Sequence, residues 1–199
     1  MQLLEAVNYM LSLTGSAEVA TLEHNLPDII AAKKRIEENR RSLLKKGWWF
    51  NTDLNVKLDP NDTGEIVVAN ALKVKGTSMF VSLLNGKLYN PSNQSSIFTQ
   101  CVYADVTRDY EWDFLPESVQ DYIMRKSGKD MVVHELEDYN KAQLLEAEVQ
   151  AALLQVKKEE FELQPRNVFT NPGVIKTRGG VRPYRNGRYI NPNYPGGKY

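Results

Sequence analysis

The hydrophobic period of this chain changes twice, and those two changes limit the folds open to it. Up to Gly47 the apolar residues recur at helical spacing. Leu3, Val7, Met10 and Leu11 form one stripe, and Gly15 follows as a C-terminal cap. After a loop over residues 16–25, Pro27 suits the first turn of a second helix, and Asp28 suits its positive end. Ile29, Ile36 and Leu43 continue that helix on one stripe with Ala32 and Leu44 beside it, and Gly47 reads as its stop after Lys45 and Lys46.

From Trp49 to Val106 the pattern turns to β-branched and aromatic runs. These cover residues 49–58, 65–74, 79–84, 87–89 and 97–106, separated by Asp59-Pro60-Asn61-Asp62, Lys75-Gly76, Asn85-Gly86 and Asn90-Pro91-Ser92-Asn93. Asn85-Gly86 is the strongest hairpin signal, because a type I′ turn needs positive φ at both central residues. The helical period returns at Pro116-Glu117. One helix carries Val119, Tyr122 and Ile123 to about Val133, weakened by Gly128, which costs about 1 kcal/mol relative to alanine. The next places Ala142, Leu145, Val149, Ala152 and Val156 at alternating three- and four-residue steps, a packing seam, and Gln164-Pro165 ends it.

The expected fold is therefore α+β. A four-helix body (residues 1–47 and 115–164) carries a small antiparallel sheet inserted between helices two and three (48–114), and an extended tail follows (165–199). At the first change of period stand Trp48, Trp49 and Phe50. They suit the core of a helix–sheet junction, where each aromatic can supply ~150–250 Å² of contact. A partner-facing aromatic patch and the lip of a ligand pocket are the alternatives.

Charge separates the tail from the rest. The chain has 25 basic and 25 acidic residues. Arg166, Lys176, Arg178, Arg182, Arg185, Arg188 and Lys198 are seven of the basic ones, and no acidic residue follows Pro165. The other 18 basic residues therefore face all 25 acidic ones in residues 1–165. Residues 171–199 hold Pro172, Pro183, Pro192 and Pro195 among six glycines, and Tyr184, Tyr189, Tyr194 and Tyr199 recur every five residues. A segment so poor in aliphatics cannot bury enough surface to fold alone. Arginine and tyrosine dominate interface energetics, so Arg178, Arg182, Tyr184, Arg185, Arg188, Tyr189, Tyr194 and Tyr199 are the candidate partner-binding residues. Two occupants compete: nucleic acid held by an RGG-like segment, with arginines on phosphates and tyrosines on bases, or a neighbouring protein wrapped by an arm.

Signals for catalysis are weak. His24 and His134 stand far apart without cysteine or histidine at metal-ligand spacing, and there is no phosphate-cradling glycine motif. No catalytic residue, metal or cofactor is expected. Cys101 reads as a small core residue of a strand, and a lone cysteine forms no internal disulfide and suits a reducing compartment. Glu37-Glu38 and Glu159-Glu160 read as solvated faces. Lys33, Lys34, Arg35, Arg40, Arg41, Lys45 and Lys46 on the second helix read as a solvated face or subunit contact, with phosphate contacts as the other reading. No run approaches the ~18 apolar residues of a membrane span, and the first residues lack the layout of a secretory signal.

Four stretches, in order and spacing, resemble the tail tubular protein A family, the head–tail adaptors of short-tailed bacteriophages. They are "AVNYMLSLTGSAEVATLE" (Ala6 to Glu23), "KKGWWFN" (Lys45 to Asn51), "LYNPSNQSS" (Leu88 to Ser96) and "RDYEWDFLPESVQDYI" (Arg108 to Ile123). Gly47, Trp48, Phe50 and Asn51 match the family's G-W-x-F-N. The resemblance covers residues 1–163, and the tail departs from it in being longer and richer in Arg, Gly and Tyr. It implies a non-enzymatic virion protein at the head–tail junction, assembled in the host cytoplasm into a ring of twelve copies. The implied partners are the portal protein above, the nozzle protein (tail tubular protein B) below and tail fibres near the joint. Genomic DNA would pass through the channel without sequence-specific binding. The acidic body then suggests a negative lumen along which DNA slides.

Overall fold

The computed structural model describes residues 1–23 and 26–163. Residues 1–163 fall in one compact unit. Helix α1 spans Leu3–Thr14, and Gln2 and Glu5 close a capping box at its start. Helix α2 spans Pro27–Leu44 with proline in its first turn. Helices α3 (Glu117–Leu136) and α4 (Tyr139–Leu163) follow the sheet. Helix α3 packs against each of the other three helices, and Lys141 at the start of α4 donates to the Leu13 carbonyl of α1 at 2.6 Å. Each helix contributes the stripe its period predicts: Val7, Met10 and Leu11; Ile29, Ile36 and Leu43; Val119 and Ile123; Val149, Ala152 and Val156. All are buried in one core that also takes in Trp48, Trp112 and Leu115.

Helix α3 runs three residues past the expected Val133. Its glycine has a packing role. A Cβ at Gly128 would stand 2.7 Å from Leu13 Cδ1 and 2.9 Å from Tyr9 Cε1, so the missing side chain lets α1 lie close against α3. Met131 and Val132, one turn on, are then buried and hold the helix together. Both atoms that a Cβ would meet are far ends of flexible side chains, and alanine recovers about 1 kcal/mol of helix propensity. Gly128→Ala should therefore lie within about 1 kcal/mol of the parent in urea unfolding, while Gly128→Leu overpacks the seam and should lose about 2–3 kcal/mol.

Five strands lie between α2 and α3: β1 (Thr52–Leu58), β2 (Ala71–Gly76), β3 (Ser82–Leu84), β4 (Lys87–Tyr89) and β5 (Val102–Arg108). The order β1-β5-β2 makes a three-stranded antiparallel sheet, with Thr52 opposite Thr107 and Val74 opposite Val106. Strands β3 and β4 form a hairpin whose turn, Asn85-Gly86, has positive φ at both residues. A second core lies here, built from Ile66, Val68, Val74, Val81, Leu88, Phe98, Val102, Ala104 and Val106.

Strand boundaries differ from expectation at several places: β2 runs on through Lys75-Gly76, β3 keeps only Ser82–Leu84 of the 79–84 run, and β5 ends at Arg108. Trp49, Phe50 and Asn51 form a turn, so β1 opens at Thr52. The 65–74 run is broken at Asn70, whose φ of 50° turns the chain; Glu65 and Val67 make single bridges to Ile97 and Lys87 before β2 begins. Ile97 to Cys101 precede β5, so Cys101 is half-buried ahead of the strand instead of inside it. The breaks at Asn70 and before β5 lie where the chain changes partners: alternation survives (Ile66 and Val68 are buried) while the pairing strand changes.

Candidate assembly surfaces around the helix–sheet junction

Helix α2 ends at Leu44, and Gly47 reverses the chain with φ of 78°, a backbone region that L side chains avoid. A Cβ there would also stand 3.2 Å from Thr52 Oγ1 and 3.3 Å from Thr107 Oγ1, against the first paired residues of the sheet. Trp48 then turns inward. Its ring is buried in the helical core and its Nε1–H donates to the Leu43 carbonyl at 2.9 Å. Trp49 meets Trp48 edge-on at 6.3 Å between ring centroids, and Phe50 meets Trp49 edge-on at 5.1 Å. Both are half-buried against the same core.

The residue that ties the junction is Asn51, 0% exposed. Its Oδ1 accepts from the Trp48 N–H at 2.8 Å, and its Nδ2 donates to the carbonyls of Leu44 at 3.1 Å and Arg108 at 2.9 Å. The Arg108 N–H donates back to the Asn51 carbonyl at 2.7 Å. One amide thus joins the last turn of α2 to the end of β5.

Beside it Arg40 is buried, which corrects the reading of the α2 basic residues as a solvated face. Its guanidinium donates to both oxygens of Glu37 (2.8 and 2.7 Å), to Asp109 Oδ1 at 2.6 Å and to the Tyr110 carbonyl. The charge and hydrogen bond of Arg40 hold the Glu37 carboxyl below its ordinary range, and Glu37 in turn raises the Arg40 pKa. Arg41 stands 3.4 Å from Asp109, Arg35 pairs with Glu38, and Lys33 donates to the Leu22 carbonyl. Lys34, Lys45 and Lys46 remain exposed.

Next to this network opens a groove of about 760 Å³, bounded by Arg41 and Asp109 on one side and by the Asn85-Gly86 turn and Lys87 on the other. Val67 and Phe114 present exposed apolar surface along it. Apolar edges beside fixed charges suit the seating of another protein's loop. Among the described residues no group of three potential metal ligands comes together, and no helix is long and apolar enough to cross a membrane. His134 is exposed on α3, and His24 lies outside the described residues.

The family described as tail tubular protein matches residues 4–165, which takes in the four helices but for Leu3, and the whole β insertion. The chain belongs to the tail tubular protein family. It is a structural protein of a phage tail, in a family that is generally non-enzymatic. Tail tubular protein A of Klebsiella phage KP34 is similar, with 27% identity over 139 residues that span 68% of this chain and 74% of that relative.

As a tail tubular protein the chain works through surfaces, and the described residues carry several. Besides the groove, Leu54, Phe80, Leu84 and Ile97 expose apolar side chains on the sheet side, and Leu144 and Leu154 do so on α4. Arg178, Arg182, Tyr184, Arg185, Arg188, Tyr189, Tyr194 and Tyr199, chosen on sequence as partner-binding residues, lie outside the described residues. Sequence reasoning missed the Arg40–Asp109 network and the part played by Asn51. No local pattern announces a pairing across 69 residues, although Asn51, a polar residue at the end of an aromatic run, was open to the question of what its amide would bond.

Proposed function

We propose that this tail tubular protein is the head–tail adaptor of a short-tailed phage. Twelve copies form a ring that joins the portal to the nozzle protein, tail tubular protein B, with fibres attached near the joint. The ring's channel carries the genome during retention and ejection. The observation that carries this reading is the family match across residues 4–165, which covers all but the first three residues of the compact unit. The name of the KP34 relative, tail tubular protein A, agrees with it.

The division of labour follows the chain. The helical body (1–47 and 115–164) supplies the lateral faces of the ring, and the β insertion (48–114) meets proteins along the axis. The basic tail (165–199) reaches along the portal, with Arg178, Arg182, Arg185 and Arg188 on acidic portal surface and Tyr184, Tyr189, Tyr194 and Tyr199 as anchors. A modest contact repeated in every copy gives firm attachment through effective concentration.

Co-sedimentation of the full chain and of a chain ending at Pro165 with the purified portal, across a salt series, tests this. The full chain should stay with the portal, and the shortened chain should lose at least about tenfold in affinity, since avidity multiplies single-site losses. The alternative is a nucleic-acid-binding module driven by the RGG-like tail. It requires co-purifying nucleic acid, indifference to the portal and binding that falls steeply between ~50 and 200 mM salt.

A further inference from the structure

One edge of the groove beside the junction carries charge that nothing answers. The loop leading into α3 is acidic, and residues 109–124 contain no basic residue. Asp109 is answered by Arg40 and Arg41. Glu111, Asp113 and Glu117 are exposed, and among the described residues none of them joins an ion pair. Glu111 borders this groove and a smaller one shared with Asp113 and Lys33. The lysines of the two grooves are committed, Lys87 to Glu65 and Lys33 to the Leu22 carbonyl. Phe114, 72% exposed, and Val67, 60% exposed, give the larger groove its apolar edges. Apolar edges beside unanswered carboxylates select an occupant that is both apolar and basic.

The chain holds such a segment just ahead of the residues assigned to the portal. Residues 166–176 open on Arg166, close on Lys176 and contain no acidic residue. Between those ends stand the apolar pairs Val168-Phe169 and Val174-Ile175. The segment lies outside the described residues, but the point from which it departs is set. Ser118 at the start of α3 donates to Glu159 of α4, so α4 ends level with the acidic loop. Copies of a ring are related by rotation about its axis, which keeps the end of α4 in one copy level with the loop of the next. Fully extended, the stretch from Leu163 to Lys176 spans at most roughly 45 Å. A compact unit of this size is roughly 40 Å across. The segment therefore reaches the adjacent copy and no farther.

We infer that residues 166–176 of one copy seat in this groove of the next copy. Val168, Phe169, Val174 and Ile175 pack against Val67 and Phe114, while Arg166 and Lys176 meet Glu111, Asp113 and Glu117. This rests on the ring reading above and adds a strap between neighbours ahead of the portal contact. A basic segment and an acidic groove on one chain are unlike surfaces, so the contact is heterologous and passes from copy to copy until the ring closes.

Cysteine cross-linking of rings assembled on the portal tests the strap, in a full-length Cys101→Ala background with a short bismaleimide. Chains carrying Glu111→Cys, mixed with chains carrying Ile175→Cys, should give dimers of one with the other. A chain carrying both should give a ladder of multimers. Glu111→Lys with Asp113→Lys, at exposed sites, should keep native helicity by circular dichroism yet lower ring yield at least about tenfold. Adding Arg166→Glu and Lys176→Glu to that chain should restore the yield to within about threefold of the parent. A double-cysteine chain that gives only internally linked monomer would overturn the strap, as would a ring intact by native mass spectrometry with no cross-link. Loss on reversal without recovery on the swap would overturn the charge pairing. Each of those results leaves the ring standing. Failure of the parent chain to form a ring on the portal would overturn the ring reading and this inference together.

Discussion

Asn51→Asp should lose about 4–5 kcal/mol of stability at pH 7, the range reserved for a buried polar network turned against itself. The substitution keeps the shape and the acceptor that Trp48 N–H needs. It replaces the Nδ2 donor by a carboxylate oxygen facing the carbonyls of Leu44 and Arg108, which the amide reaches at 3.1 and 2.9 Å. Burial beside two carbonyl dipoles raises the pKa of that carboxyl above its unfolded value near ~3.9. The penalty is therefore absent below the unfolded pKa, grows as pH rises from it toward the folded one, and is complete above that. Relative to the parent, the variant should recover stability between pH 7 and about pH 4, where a protonated oxygen can donate to one carbonyl. Asn51→Ala leaves the same backbone groups unpaired without adding charge and should lose about 3 kcal/mol, with no such recovery. Urea unfolding followed by tryptophan emission, with Trp48 at the site, measures all three chains across pH.

Arg40→Met should lose about 2–3 kcal/mol, at or below the low end for breaking a buried pair, because part of the charge left behind is wet. Methionine keeps the packing of the stem. It abandons Asp109 and the Tyr110 carbonyl at the junction, but Glu37 is half exposed and Arg41 still lies near Asp109. Arg40→Lys should lose about 1–2 kcal/mol, since one ammonium cannot serve Glu37, Asp109 and Tyr110 in the geometry of a planar fork. The pH dependence has a fixed sign. The Glu37 carboxyl titrates below its ordinary 4.5 because Arg40 bonds and attracts its charged form. Its contribution is complete above 4.5 and is lost as pH falls through the lower folded value. Parent and Arg40→Met should therefore converge in that acidic window. Chemical unfolding at pH 7 and at pH 3 gives both differences.

These two residues also mark what could be read from the sequence. The layers were legible because period carries them. The stripes of α1 to α4 bury the residues that spacing selects, and Asn85-Gly86 turns the hairpin for the reason its backbone angles dictate. Strand limits were less legible. A run such as 65–74 keeps one alternation while its partner changes from Ile97 and Lys87 to β5, and period alone cannot register a change of partner. Gly128 costs helix propensity, and what propensity alone does not register is its neighbour: the missing side chain admits Tyr9 and Leu13. Arg40 looked like one member of a basic run, and only tertiary structure sets it against Asp109.

Native mass spectrometry of the full chain with its portal, set beside the chain ending at Pro165, bears most directly on the adaptor reading. The expected result is one layer of twelve copies on the portal, diminished by the truncation while the truncated chain remains folded. A monomer that ignores the portal and leaves the column carrying nucleic acid would contradict it, and would assign the basic tail to nucleic acid instead.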